Sequence, residues 1–405
     1  MISYINYWIN IIKFAFIGGK KFYLWTGFLS VLIGLGFAAY TQQFQNGLIV
    51  TNLSDQVSWG AYIANFTFLV GVAAAAVLLV VPTYIYKRDD VKEVVLIGEL
   101  LAISAIVMCL LFIIVDMGRP DRFMHIIPFI GRLNFPASIL AWDVVVLNGY
   151  LILNLHIPGY LLYKMYKNQN PSKKYYMPFV IISIFWAVSI HTVTAFLYSG
   201  LGGRPYWNSA ILAPRFLISA FASGPALMII IFALINHFTN LKVKQSVSNL
   251  LLSILKVTLP INMFLLGSEL FKEFYTDSTH ALSAHYLFFG INGHAMLAPF
   301  IWSSILFSFI AMAIIFIPKL RNNKKILYVA CVLTFIGIWI EKGMGLIIPG
   351  FIPTPIGDLV EYTPSMIEFL VSVGIWSIGG LIFTLMVKVA IAIQTGELRE
   401  KKKTA

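Results

Sequence analysis

Ten apolar stretches, each near the length needed to cross a bilayer, constrain this chain more than any other feature. They run Phe22 to Tyr40, Gly60 to Tyr86, Val94 to Val115, Ala137 to Tyr163, Met177 to Leu201, Ala210 to His237, Asn249 to Phe271, His294 to Ile317, Ile326 to Ile348 and Ile367 to Ile393. Spanning the hydrocarbon core takes about 20 apolar residues in a helix. The glycine-broken stretch from Leu287 to Gly293 reads as a bent start to the eighth span. No segment shows the period-2 alternation of a barrel strand. Only 11% of the residues are charged and 59% are hydrophobic, whereas a soluble domain carries roughly 25% charged residues. Soluble enzymes, disulfide scaffolds and disordered chains are therefore excluded. The expected fold is an all-α integral membrane protein with ten transmembrane helices, N-in and C-in. No linker divides it, so residues 1–405 read as a single polytopic membrane domain.

The orientation follows from charge. The net +12 does not point to nucleic acid, because its placement reports topology. With a cytoplasmic N-terminus, the inside ends hold Lys13, Lys20, Lys21, Lys87, Arg88, Lys92, Lys164, Lys167, Lys173, Lys174, Lys242, Lys244, Lys319, Arg321, Lys324, Lys325, Lys388, Arg399 and Lys401 to Lys403, which is 21 of the 29 basic residues. The outside ends hold seven: Arg119, Arg122, Arg132, Arg204, Arg215, Lys272 and Lys342; Lys256 falls within a span. A missed or invented helix would scramble this bias. The N-terminus lacks a basic segment ahead of an apolar core and cleavage site, so the first span is expected to direct insertion. The longer outer connections, rich in Gly, Pro and Arg, are where function is expected.

Ionisable residues inside a membrane are costly and mark candidate sites. Asp143, in L-A-W-D-V-V-V, lies about two turns inside the outer end of the fourth span. A carboxyl there costs free energy to ionise, which suits a group that accepts and releases protons. Its structural alternative is an ion pair with Arg119 or Arg122. His125 lies 18 residues earlier in the loop leading into that helix, and Pro128, Gly131 and Pro136 let the chain turn back. A His and an Asp at one interfacial pocket can each take a proton from the two hydroxyls of a hydroquinone; the alternative for His125 is a surface position at headgroup level.

The triplet G-R-P occurs at Gly118 to Pro120 and at Gly203 to Pro205, each time after an inside-to-outside helix, and reads as a helix stop as readily as a ligand site. Glu269 and Glu273 lie near the outer end of the seventh span with Lys272 between them. Glu269, the deeper, is the second carboxylate candidate, with partial exposure or a pair with Lys272 as the structural alternative. Glu99, one turn inside the cytoplasmic end of the third span, could begin a proton path or snorkel to the interface.

No metal site is expected. Cys109 and Cys331 are isolated and no CxxC occurs, so no Fe–S cluster or c-type haem is expected in this chain. A bis-histidine haem b would need His156 with His237, or His191 with His294; structural hydrogen bonding is the ordinary reading for all four.

Taken together, S-W-G-A-Y-I-A-N-F at Ser58 to Phe66, D-M-G-R-P-D-R-F at Asp116 to Phe123 and L-A-W-D at Leu140 to Asp143 resemble the NrfD/PsrC (polysulfide reductase membrane subunit) family. The stretches His191 to Phe216 and Asn262 to Tyr275 are most similar to its DsrP/HmcC subgroup, from sulfate-reduction-type transmembrane redox complexes. The resemblance implies two four-helix bundles plus two flanking helices, no redox centre of the chain's own, and a menaquinone pocket on the outer side. It also implies a ferredoxin-like Fe–S subunit docked over that pocket, alongside further membrane and cytochrome subunits. By position it makes His125 and Asp143 quinone ligands and brings Arg122 and Arg204 to the quinone or partner side. Some relatives carry a histidine in the second helix; this chain reads G-V-A-A-A-A at Gly71 to Ala76, so no proton route through that residue is implied.

The expected function is a quinol/menaquinone-interacting subunit of a respiratory redox complex in the cytoplasmic membrane of a prokaryote, linked to anaerobic respiration and sulfur metabolism. Of the alternatives, a transporter or channel predicts polar or broken helices at the bilayer midplane, where the sequence is mostly aliphatic. A haem b-bearing cytochrome subunit is the other.

Overall fold

The computed structural model describes residues 2–127, 129–276 and 281–400; Pro128 and Lys401 to Lys403 lie outside the described residues. Ten helices are long and apolar enough to cross a membrane. A first helix, α1 (Ile2–Phe16), precedes them. The spans are α2 (Lys20–Asn46), α3 (Ala61–Ile85), α4 (Val95–Asp116), α5 (Ile139–Tyr166), α6 (Met177–Ser199), α7 (Leu212–Phe238) and α8 (Gln245–Thr276). A short α9 (Ala281–Phe288) follows, then the spans α10 (Ala298–Phe316), α11 (Lys324–Phe351) and α12 (Met366–Thr395). No strand forms among the described residues. Local chemistry sets several ends. Ser138 caps α5 by accepting from Ala141 N–H, Ser365 and Glu368 form a capping box on α12, and Gly396 ends it in the left-handed conformation.

The spans pack as two closed rings of four. In bundle one, α3 touches α4, α4 touches α5, α5 touches α6, and α6 returns to α3. In bundle two, α7, α8, α10 and α11 close the same way. The seam between them is α3 and α6 against α7, with α11 also reaching α3. Helices α2 and α12 flank bundle one. They cross where Gly36 and Gly374 meet backbone to backbone, and α12 lies along α4. Because the spans alternate in direction, connections 47–60, 117–138, 200–211 and 352–365 share one end, the long-loop face. Connections 86–94, 167–176, 239–244 and 317–323 share the other, the lysine-rich face.

Two elements differ from the sequence reading. The helix α1 was not anticipated: its Tyr7 and Ala15 are buried while Tyr4, Trp8 and Ile12 are exposed, so it is too short and too amphipathic to register as a span. The stretch Leu287 to Gly293 is not a bent start to the eighth span. Leu287 and Phe288 end α9, and Gly290 and Gly293 take positive φ in a tight turn before α10.

One irregularity matters for function. In α11 the residues Ile340–Met344 form a π turn. The extra residue in such a turn lets consecutive side chains point inward, and π turns recur at functional sites. Here the consecutive pair is Glu341 and Lys342, both buried. Gly343 lets the turn press against α3, since a Cβ there would sit 3.0 Å from the Ala64 carbonyl oxygen.

Candidate functional site

Asp143 occupies the first turns of α5, below the loop 117–138, and is 1% exposed. Thr194 of α6 lies 2.8 Å from Asp143 Oδ1, and the same hydroxyl lies 2.8 Å from the Ile190 carbonyl. Asp143 Oδ2 has no hydrogen-bond partner among the described residues. The ion pair considered as its structural alternative does not form. Arg119 instead pairs with Asp121 at 3.0 Å on the surface, and Arg122 is exposed. Nearby polar groups of bundle one include hydroxyls, a thiol and the Asp116 carboxyl, whose Oδ1 is buried: Thr67 and Tyr198 are 2.5 Å apart, and Cys109 Sγ points to the Phe66 carbonyl at 3.8 Å.

The loop above folds back onto α5. Trp142 donates to the Pro136 carbonyl at 2.8 Å and lies tilted against Phe135 with 4.6 Å between rings. Gly131 packs against the His125 backbone where no side chain would fit. The His125 side chain is exposed. The structure therefore places His125 and Asp143 at the same end of the molecule, one in the loop and one beneath it, without contact between them.

Arg204 belongs to a second loop on this face. Its guanidinium lies 4.3 Å over the Phe351 ring and 3.4 Å from the Phe351 carbonyl, and partial burial holds its pKa below the usual arginine value. The neighbouring Trp207 is buried, donates to the Leu346 carbonyl at 2.8 Å and stacks on Trp59. The loop 200–211 is thus bolted to the end of α11, and Gly350 is required because the Trp207 ring fills the place of a Cβ.

Bundle two holds a buried ion network. Arg215 of α7 pairs with Glu269 of α8 and, at 2.9 Å, with Glu341 of α11. Asn262 donates to the other Glu341 oxygen at 2.9 Å. Lys342 donates to the Arg215 carbonyl at 3.2 Å and to the Ser219 hydroxyl, and lies 3.7 Å over the Phe216 ring. The cavity beside Arg215, Glu341 and Lys342 has room for about one water molecule. Glu273 is buried one turn beyond Glu269 and lies 3.4 Å from the half-exposed Lys272, outside hydrogen-bonding geometry.

These contacts correct three expectations. Glu269 is buried and pairs with Arg215, not with Lys272, because Arg215 faces it across the bundle while Lys272 points to the rim. Arg215 and Lys342, counted from the sequence as basic residues at the outside ends, are buried inside the bundle. Glu341 sits ten residues from the end of α11, about 15 Å at helical rise, so buried charge reaches well inside a span that the sequence reads as mostly aliphatic. The sequence reading also missed Glu341 altogether, although E-K inside the run Ile326 to Ile348 was a visible signal.

At the lysine-rich face, Glu99 is buried and does not snorkel, and its Oε2 has no partner among the described residues. No two histidine rings are in contact among the described residues. His156 bonds to the Tyr175 carbonyl at 3.0 Å, His237 lies against Phe238, and His294 pairs with Glu361 at 3.3 Å. His191 is fully buried at the seam. No group of three or more His, Cys, Asp or Glu side chains among the described residues could hold a metal ion.

The chain resembles known proteins along most of its length. It is 25% identical to a protein of Halobacterium salinarum provisionally named as a membrane subunit of dimethyl sulfoxide reductase, covering 88% of each chain. It is 24% identical to the Hdr-like menaquinol oxidoreductase integral membrane subunit of Archaeoglobus fulgidus, over 92% of this chain and 94% of that one. It is 25% identical to the menaquinone reductase integral membrane subunit of Nitratidesulfovibrio vulgaris, over 94% of both. Residues 49–353 match the family model described as polysulphide reductase, NrfD; with the motifs at Asp116 and Asp143 inside that range, this chain belongs to the NrfD family.

Proposed function

We propose that this chain is the quinol-exchanging membrane subunit of a multi-subunit respiratory redox complex. Hydroquinone binds under the long-loop face, loses two protons and two electrons, and the electrons pass to an Fe–S subunit docked above. His125 and Asp143 take the protons, and Arg122 and Arg204 line the approach. The relatives named for menaquinol and menaquinone support menaquinone as the quinone. The exposed Met124, Phe129, Ile130 and Ile356, interspersed with Arg119, Arg122 and Arg132, support docking of a partner on this face. The basic bias of the opposite face supports both termini being cytoplasmic; reporter fusions at Gln394 and within residues 160–174 should both read cytoplasmic, and an outward reading would reverse the orientation.

One observation carries the reading: the bonding of Asp143. The single hydrogen of the Thr194 hydroxyl cannot be donated to both Asp143 and the Ile190 carbonyl, each 2.8 Å away. With a proton on Asp143, the carboxyl donates to Thr194 and Thr194 donates to Ile190, so both contacts are hydrogen bonds. Asp143 is built to hold a proton and, with no cation beside it, to hand it on. Glu269 within the network of bundle two and Glu99 near the opposite face provide candidate steps of a proton path. The depth of Glu341 supports proton movement through bundle two.

In an intact complex, Asp143→Asn should slow quinol-dependent reduction of the partner's cluster by about 10²-fold or more, and His125→Ala similarly, the usual scale for general acid–base groups. Near-normal turnover with Asp143→Asn would remove the aspartate from the chemistry.

A further inference from the structure

Between the Asp143 cluster and the ion network of bundle two stands His191, on the face of α6 three residues before Thr194. Residues so spaced are neighbours on one helix face, so the imidazole lies one turn deeper than the hydroxyl that holds Asp143. Its surroundings come from both bundles. A Cβ on Gly71 of α3 would lie 3.8 Å from His191 Nε2 and 3.6 Å from the Ala220 Cβ of α7. Ala220 follows Ser219, whose hydroxyl binds Lys342, and Lys342 is close enough for its charge to act on the ring.

The histidine is 1% exposed, and neither ring nitrogen has a hydrogen-bond partner among the described residues. The Ala187 carbonyl, one turn back, is near the ring but outside hydrogen-bonding geometry. Buried polar atoms are almost always paired, and an unpaired one costs about 1–3 kcal/mol. A histidine serving only to pack could be replaced here by an apolar ring without that loss. The orphaned nitrogens belong to the residue one helical turn below Thr194, the residue whose hydroxyl meets Asp143.

We propose that His191 is a proton relay across the seam, carrying the proton that Asp143 accepts from bundle one into the ion network of bundle two. This rests on the reading that Asp143 takes a quinol proton. The proton leaves the Asp143 carboxyl and binds one imidazole nitrogen, directly or through a bridging water. The opposite nitrogen releases its own proton toward the Glu341 carboxylate, and the ring returns to neutrality. No electrons move in this step. Lys342 is the charge that acts on the ring itself; Asp143 lies beyond Thr194 with Cys109, Tyr198 and Asp116 around it, and Arg215 and Glu341 bracket Lys342.

The test uses the assembled complex with a menaquinol analogue as donor and reduction of the partner's cluster as the readout. His191→Gln keeps polarity and approximate size but cannot pass a proton through a ring. It should lower kcat about tenfold or more, leave the KM for quinol unchanged and enlarge the solvent deuterium isotope effect. Ser219→Ala, which loosens Lys342 without touching His191, should produce the same signature at a few-fold. A wild-type kcat and isotope effect in assembled His191→Gln would overturn the relay. If Asp143→Asn remains slow in that case, the quinol site stands and only the relay fails; if Asp143→Asn is also normal, the quinol-site reading fails instead. Should His191→Gln not assemble, Ser219→Ala decides, and unchanged kcat with an unchanged isotope effect refutes the relay.

Discussion

In bundle one Asp143 meets a threonine hydroxyl and no cation among the described residues, whereas in bundle two Glu269 and Glu341 share Arg215 while Lys342 is held by the Arg215 carbonyl, the Ser219 hydroxyl and a phenyl face. The two solutions to burying charge have different consequences. A carboxyl with only a neutral partner is stable chiefly when protonated, so it is suited to gaining and losing a proton during turnover. A carboxylate paired with a guanidinium rests ionised and can take up a proton only transiently, and losing either partner leaves a buried charge uncompensated. Both arrangements lie toward the long-loop face, and the seam that separates them is closed by Gly343 against Ala64 and by His191.

The sharpest way to break this comparison is to remove one member of each. Arg215→Met leaves Glu269 and Glu341 buried without their cation and should destabilise the protein by about 3–5 kcal/mol, seen as lost assembly and a lower unfolding temperature in detergent. Asp143→Asn should change stability by less than about 1 kcal/mol, since an amide can keep the Thr194 bond. Equal losses in the two variants would mean that Asp143 is also an architectural charge. A smaller effect tests the seam. Gly343→Ala pushes a methyl toward the Ala64 carbonyl and should cost about 1–3 kcal/mol through overpacking, read by thermal unfolding. No loss would show that the bundles can slide apart freely at this point.

The smallest effect lies outside the bundles. Arg88 and Ser246 hydrogen-bond Asp90 in the loop 86–94 and hold its carboxyl at about 2, below its ordinary 3.8. A carboxyl depressed on folding adds stability above its ordinary pKa and loses it as pH falls through the folded value. The Asp90 contribution is therefore present at neutral pH and disappears between 3.8 and about 2. This surface pair, at 2.5 Å, is worth at most about 1 kcal/mol. Asp90→Asn should shift unfolding slightly at pH 7, less near pH 2 and not at all well below it; a shift larger than that of Gly343→Ala would invert the expected ranking.

The ten spans and the all-helical fold are legible in the sequence because apolar length is a local property, readable run by run. The motifs D-M-G-R-P-D-R-F and L-A-W-D, and with them the family, are local too. The pairing of buried charges was not legible. Arg215, Glu269 and Glu341 come from three helices far apart in the chain, and counting basic residues at helix ends treats a buried Arg215 like an exposed Arg119. The same limit hid His191, an ordinary histidine in an apolar run until α3 and α7 close over it, and α1, whose one buried face is defined by α5 and α12. Hydrophobicity alone determined how many times the chain crosses the membrane. Which polar side chains meet inside was decided only by packing the helices into two rings, because in a low-dielectric interior each buried charge is set by the neighbours that tertiary structure brings to it.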